Sequence, residues 1–131
     1  MVKCDTTMRL TLVFWLVLAT VVSPAASAGS DFARIGNFSI QRSTFGVGSW
    51  YDASEVCALK IGARLCTASE WVAACRARIV RGKEPEWVSD VGPEDYEGRS
   101  GFRGLILFPD CVRGEWVSPR QISGIRCCRS E

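Results

Sequence analysis

Apolar residues recur at helical spacing between Ser49 and Gly62. Ser49 suits the N-cap position, because an acidic residue follows three positions later, and Gly62 supplies a C-terminal stop. The spacing therefore predicts one helix over residues 50–61. Its apolar face carries Trp50, Ala53, Cys57 and Ile61.

A second helix is predicted directly after the first. Thr67 and Glu70 have the spacing of a capping box, whose side chains satisfy free amides of the first helical turn. Each predicted helix turns one cysteine, Cys57 or Cys75, toward the interior, which favours a cross-link over a reactive thiol. The apolar stripe of the second helix consists of Trp71, Val72, Cys75 and Ile79.

The rest of the chain alternates short apolar runs with glycine and proline, a pattern typical of short strands joined by turns. Two helices among such strands predict an α+β domain, and the part beyond Arg81 is rich in loops. The candidate strands lie within residues 32–48, 63–66, 86–91, 105–111, 114–119 and 122–128.

Residues 1–28 have the pattern of a secretory signal peptide. Lys3 and Arg9 precede an apolar run over residues 10–22, and small residues lead up to Ala28. The run is shorter than the ~20 residues of a membrane-spanning helix, although an uncleaved anchor is the alternative. We expect cleavage after Ala28, which leaves residues 29–131 as one domain outside the cell or in a periplasm, without a membrane span.

Cleavage would leave six cysteines, an even number that indicates three disulfides in an exported chain of this size. A zinc site is the alternative, but the chain has no Cys-x-x-Cys pair and no histidine. The six residues are Cys57, Cys66, Cys75, Cys111, Cys127 and Cys128.

The absence of histidine excludes Ser-His-Asp and Cys-His nucleophilic machinery and any histidine-bound metal. The net charge is only +2 at pH 7, and basic residues are interleaved with acidic ones along the chain. We therefore predict no interface for nucleic acid.

Four blocks in order resemble the domain of formylglycine-generating enzymes (sulfatase-modifying factors). The segment "WYDASEVCALKIGARLCTASEW", residues 50–71, resembles the two-helix signature of that family. The other blocks are residues 82–90 with a Glu-Trp strand, residues 113–116 and residues 124–126. Together the blocks extend over most of the part that follows the predicted signal peptide.

The resemblance implies a C-type lectin-like fold in which a disulfide ties the first helix to the terminal strand. Cys57 would then pair with Cys127 or Cys128, and these two neighbours on a strand should point to opposite faces rather than bond each other. Within this frame we favour Cys75–Cys111, with Cys66 taking the remaining terminal cysteine.

The chain departs from the family where its catalysis resides. Catalytic members bind copper through two cysteines just before the closing strand, but residues 117–123, "VSPRQIS", contain none. A related branch uses histidine-bound iron, which this chain cannot provide. The resemblance therefore implies the fold without the activity, and we predict no catalytic residue.

The resemblance also bears on calcium. Glu86 matches a family glutamate that helps to hold a structural calcium, whereas Arg81 stands where the family has an asparagine. An acidic loop nearby offers oxygen ligands suited to the same ion, although a solvated turn is the alternative. The possible calcium ligands are Glu86, Asp90, Glu94, Asp95 and Glu97.

The four tryptophans beyond the signal, Trp50, Trp71, Trp87 and Trp116, lie in the framework blocks, so we expect them in the core. An exposed one would indicate a stacking platform for a sugar or a protein.

The leading hypothesis is a secreted, disulfide-stabilised binding module that displays loops between residues 80 and 123 to an extracellular protein or glycan. The alternatives are a structural surface or envelope protein and a reduced copper or thiol oxidase-like enzyme.

Overall fold

The computed structural model describes residues 31–92 and 101–131. The predicted signal peptide lies outside these residues and stays a prediction. Within them, no helix is both long and apolar enough to cross a membrane.

Both helices begin at the predicted capping boxes. Helix α1 covers Trp50–Glu55 after Ser49, and α2 covers Ala68–Arg76 after Thr67. At each start the side chain and backbone of the N-cap residue exchange hydrogen bonds with the third helical residue. The two local sequence patterns therefore fix where the helices begin.

The first helical segment ends at the predicted Gly62 stop, which has a positive φ of 65°, whereas the second helix ends at Arg76, before Ile79 of the predicted stripe. After α1 the chain widens into a π-helical turn over Val56–Lys60, in which the Ile61 amide donates to the Val56 carbonyl. After α2, Arg78 adopts a positive φ of 60° and reverses the chain, so Ile79 lies beyond the helix rather than on its stripe.

Nine strands surround the helices and form two sheets within the described residues. The strands are β1 Phe32–Ile35, β2 Phe38–Gln41, β3 Gly46–Gly48, β4 Arg64–Leu65, β5 Glu86–Gly92, β6 Arg103–Leu107, β7 Gly114–Val117, β8 Ser123–Ile125 and β9 Cys127–Ser130. One sheet has the order β1-β2-β9-β4 and the other β3-β8-β5-β6-β7. All pairs are antiparallel except β5–β8, which are parallel at a single position. The predicted α+β class is confirmed.

The six cysteines of the described residues form three disulfides. Cys57 pairs with Cys127, and the α-carbons of the pair are 5.5 Å apart. The other two pairs are Cys66–Cys128 and Cys75–Cys111, with α-carbon separations of 4.8 and 5.6 Å. These separations are ordinary for disulfides. The pairs agree with the favoured Cys75–Cys111 bond, and of the two alternatives left open for Cys57 the structure has Cys127.

Neighbouring cysteines on β9 connect the two halves of the core. Cys127 lies in one buried cluster with Ala53, Trp87 and Ile106. Cys128 lies in the other cluster, which includes Ile40 and Trp71. Because successive residues of a strand point to opposite faces, one short strand receives a disulfide from each side.

Candidate ligand-binding site

Glu86, the first of the possible calcium ligands, faces an arginine in the interior. Its two carboxylate oxygens each accept a hydrogen bond of 2.8 Å from the Arg126 guanidinium, and one oxygen also accepts from the Trp71 indole at 2.8 Å. Glu86 is 2% exposed and Arg126 is fully buried. A cation at this carboxylate would meet the arginine charge, so the calcium role implied for Glu86 does not fit this structure.

Arg126 stands between β8 and β9, where the chain passes from one sheet to the other. Besides Glu86 at the start of β5, its guanidinium donates to the carbonyls of Gln41 and Arg42 at the end of β2. We call Trp71, Glu86 and Arg126 the interior junction. It joins the two sheets, and each of its charged groups has a partner, as burial of charge requires.

Asp90, the second possible calcium ligand, accepts a hydrogen bond from the backbone. One carboxylate oxygen accepts from the Ala68 amide at 2.7 Å, at the start of α2. Within residues 31–92 and 101–131, no group of three or more side chains is arranged to hold a metal. Glu94, Asp95 and Glu97 lie outside the described residues, so calcium binding by their loop stays a prediction.

The tryptophans fall into two environments. Trp71 and Trp87 are fully buried, and the Trp87 indole donates to the Gly48 carbonyl at 2.8 Å. Trp50 is half-buried and donates to the Val88 carbonyl. Trp116 is 46% exposed, so the expectation of core packing was wrong for this residue. β7 is the edge strand of its sheet, which leaves one side of the ring open to solvent.

Trp116 borders a hollow of about 710 Å³ between α1 and the end of β7. Glycine at position 92 permits the Trp116 ring to lie against β5, because a β-carbon there would come within 2.9 Å of the ring. The residues that define the site, which we call the aromatic pocket, are Tyr51, Phe102, Arg103, Trp116, Pro119 and Arg120.

Packing and hydrogen bonds hold the opposite wall of the aromatic pocket in place. The Phe102 ring packs edge-on against both Trp50 and Tyr51, with ring centroids 4.9 and 5.7 Å apart. The Trp50 amide donates to the Pro119 carbonyl at 2.8 Å, which fixes the loop after β7 to the start of α1. These contacts attach Phe102 and the loop after β7 to α1.

The cap of α1 supports the same wall. Asp52 accepts from both the hydroxyl and the amide of Ser49. The hydroxyl bond, and then the amide bond, holds the pKa of Asp52 below its usual value. These bonds cap the first turn of α1, which carries Tyr51.

Two exposed side chains of the pocket are left without protein partners. Among the described residues, neither the Trp116 indole N–H nor the Arg120 guanidinium forms a hydrogen bond or ion pair, whereas Arg103 is engaged. Tyr51, which also lines the hollow, is 51% exposed. Exposed aromatic side chains and free donors around one hollow are features expected of a recognition site.

Sequence reasoning found Trp116 but missed Tyr51, Phe102 and Arg120. Tyr51 lies in the predicted first helix but off its apolar face, and Phe102 and Arg120 lie beside turn residues in the segments "SGFRG" and "SPRQ", where apolar periodicity gives no information. An aromatic or arginine residue next to a turn was the one local indication available.

Solved structures similar to this chain identify the architecture. Botrocetin superposes with a TM-score of 0.59 over 78% of this chain and 98% of its own, at 13% identity. The carbohydrate-recognition domain of the mouse scavenger receptor C-type lectin gives 0.53 over 78% and 97%, at 14% identity. The fold is C-type lectin-like.

A third C-type lectin-like neighbour is EMS16, described as an antagonist of the collagen receptor integrin alpha2beta1. It gives a TM-score of 0.52 over 79% of this chain and 98% of its own, at 13% identity. No protein-family model and no curated sequence matches the chain. The C-type lectin-like fold implied by the resemblance is thus confirmed, whereas the closer relation to formylglycine-generating enzymes stays a prediction.

Proposed function

We propose that the chain is an exported, non-catalytic binding module whose aromatic pocket takes a protein ligand. The observation that carries this proposal is the exposed Trp116 on an edge strand, beside a hollow of about 710 Å³ that Tyr51 also lines. Tryptophan, tyrosine and arginine are the residue types that supply most of the binding energy in protein interfaces. All three are present in this pocket.

The surface around the pocket favours a protein over a small sugar. Ile122 is 62% exposed and follows Gln121, which also lines the hollow. An open apolar surface with an aromatic centre matches the apolar core and polar rim of protein interfaces. EMS16, which shares the fold, is described as an antagonist of an integrin.

The cysteines support a binding role rather than oxidative catalysis. All six described cysteines are consumed in disulfides, so none of them offers a thiolate to copper or to a substrate. The same disulfides, together with the predicted signal peptide, support export to an oxidising compartment.

The test is a screen of the disulfide-bonded protein by biolayer interferometry, against purified extracellular proteins and a glycan array. We expect one protein ligand to bind saturably. Trp116→Ala should weaken that binding by about thirtyfold, the size of an interface hot spot, because the ring supplies the central contact. Val112→Ala is the matched control, since Val112 is 85% exposed and lies outside the pocket, and it should change affinity less than twofold.

Equal effects of the two substitutions would contradict the proposal. If only a glycan binds, and Trp116→Ala abolishes that binding, the aromatic pocket is the binding site but its ligand is a sugar instead of a protein. An unfolding midpoint of Trp116→Ala close to that of the parent shows that loss of binding is not loss of fold, because exposed side chains contribute little to stability.

A further inference from the structure

Three arginines surround a second hollow, of about 590 Å³, at the C-terminal end of α2. Arg42 comes from the end of β2, whereas Arg78 and Arg81 follow α2. We call these three residues the arginine patch. Ala77 and Ile79 complete its lining, and the patch shares no residue with the aromatic pocket.

The backbone brings these distant residues together. Arg78 has a positive φ of 60°, and the Ile79 amide donates back to the Ala74 carbonyl, so the chain reverses at the end of α2. The Arg81 Nε donates to the Arg78 carbonyl at 3.1 Å, which orients the Arg81 guanidinium. The Arg42 carbonyl accepts from the buried Arg126, so the interior junction holds the third member.

The charge of the patch is not neutralised by the protein. Within the described ranges, none of the three arginines forms an ion pair with a carboxylate, and all three are exposed. Asp31 is adjacent to Arg42, whose amide donates to the Asp31 carbonyl, but the Asp31 carboxylate accepts from Ser43 instead of forming an ion pair with Arg42. Glu84 is exposed beyond Lys83. The three positive charges repel one another. An anion bound among the guanidinium groups would offset this repulsion and accept hydrogen bonds from them.

The sequence did not predict this patch, because basic and acidic residues alternate along the whole chain. Between residues 76 and 84, however, four basic side chains accompany one acidic one, and folding adds Arg42 from far upstream. Arg76 and Lys83 are also exposed, and they extend the positive surface on either side in the chain.

We propose that the arginine patch docks a linear sulfated polysaccharide. Guanidinium groups bind tetrahedral oxyanions in a bidentate manner, and several in one hollow fit closely spaced sulfates. No aromatic side chain lines the hollow to stack nucleobases. None of the large exposed apolar side chains lies within residues 76–84 to enter a lipid layer. The disulfides favour an oxidising compartment, and the extracellular space, where such polysaccharides occur, is one of these.

The test is the affinity of the full disulfide-bonded protein for a heparin octasaccharide, measured by isothermal titration calorimetry at several NaCl concentrations. The variant Arg42→Gln/Arg78→Gln/Arg81→Gln removes the patch. We expect it to bind at least about tenfold more weakly at 0.15 M NaCl. By analogy with counterion release from nucleic acids, the slope of log K against log salt should become shallower by about two to three.

The matched control is Arg34→Gln/Lys60→Gln/Arg113→Gln, which removes the same formal charge from exposed positions elsewhere. It should change the affinity less than twofold. An equal loss of heparin affinity in the two triple variants would contradict the proposal, because it would show that net charge alone determines the binding. The proposal of a sulfated ligand would be contradicted if a desulfated octasaccharide bound as tightly as heparin, or if phosphatidylserine vesicles bound more tightly than heparin.

The heparin experiment tests the arginine patch independently of the aromatic pocket. Trp116→Ala should retain heparin affinity, and the arginine-patch variant should retain the protein ligand, so each site can fail alone. A circular dichroism spectrum and unfolding midpoint matching those of the parent separate loss of binding from misfolding.

Discussion

The interior junction and the aromatic pocket are built from the same two residue types, tryptophan and arginine, in opposite surroundings. Trp71 and Arg126 are fully buried, and their donors are directed at the Glu86 carboxylate. Trp116 is 46% exposed, and among the described residues neither it nor Arg120 has a partner for its side-chain donors. Satisfied polar groups stabilise a fold, whereas unsatisfied ones at the surface are free for a ligand.

The largest contrast should appear when the same substitution is made in both regions. Arg126→Met leaves the buried Glu86 charge without its cationic partner and with only the Trp71 indole as a donor, which costs about 3–5 kcal/mol of unfolding free energy. Arg120→Met removes an exposed guanidinium and should change stability by less than about 0.5 kcal/mol. Urea unfolding with the disulfides intact measures both, and comparable losses would show that the buried pair does not join the sheets as described.

A smaller but still large effect is expected from the disulfides that enter β9 from its two sides. The double variants Cys57→Ser/Cys127→Ser and Cys66→Ser/Cys128→Ser should each lose about 2–5 kcal/mol. Because the sequence separations are 70 and 62 residues, the two losses should agree within about 1 kcal/mol. Thermal unfolding of both variants checks this. If one variant keeps the parental midpoint, its disulfide does not constrain the core.

The smallest effect is expected at the half-exposed ion pair of Arg64 and Glu70. Arg64 donates two hydrogen bonds to the Glu70 carboxylate, which lowers the pKa of Glu70 below its usual value of about 4.3. A lowered pKa in the folded state means that the contribution to stability is complete above the unfolded-state pKa. It is lost as the pH falls through the folded-state pKa.

Glu70→Gln keeps the capping geometry of α2 and removes the charge. At pH 7 the variant should therefore be less stable by about 1 kcal/mol or less, since surface pairs contribute little. The difference should vanish at low pH, where Glu70 of the parent is protonated. Urea unfolding at pH 7 and at low pH measures it, and a difference independent of pH would assign the effect to packing instead of charge.

Much of the framework could be predicted from local patterns. The Ser49 and Thr67 caps lie where the capping boxes predicted them, because a cap depends on residues only three positions apart. The run predicted over residues 86–91 is β5, since alternation and flanking turns are also local features. The C-type lectin-like fold itself came from the order of the motifs.

Only the tertiary structure determined which tryptophans are buried and which charged residues are paired. The sequence assigns Trp87 and Trp116 to similar framework blocks, yet β5 lies inside its sheet and β7 at the edge. Likewise, Glu86 and Arg126 are 40 residues apart, and Arg42 joins Arg78 and Arg81 only after the chain has folded. Local propensity determines where elements begin, whereas burial and charge pairing depend on which distant segments become neighbours in space.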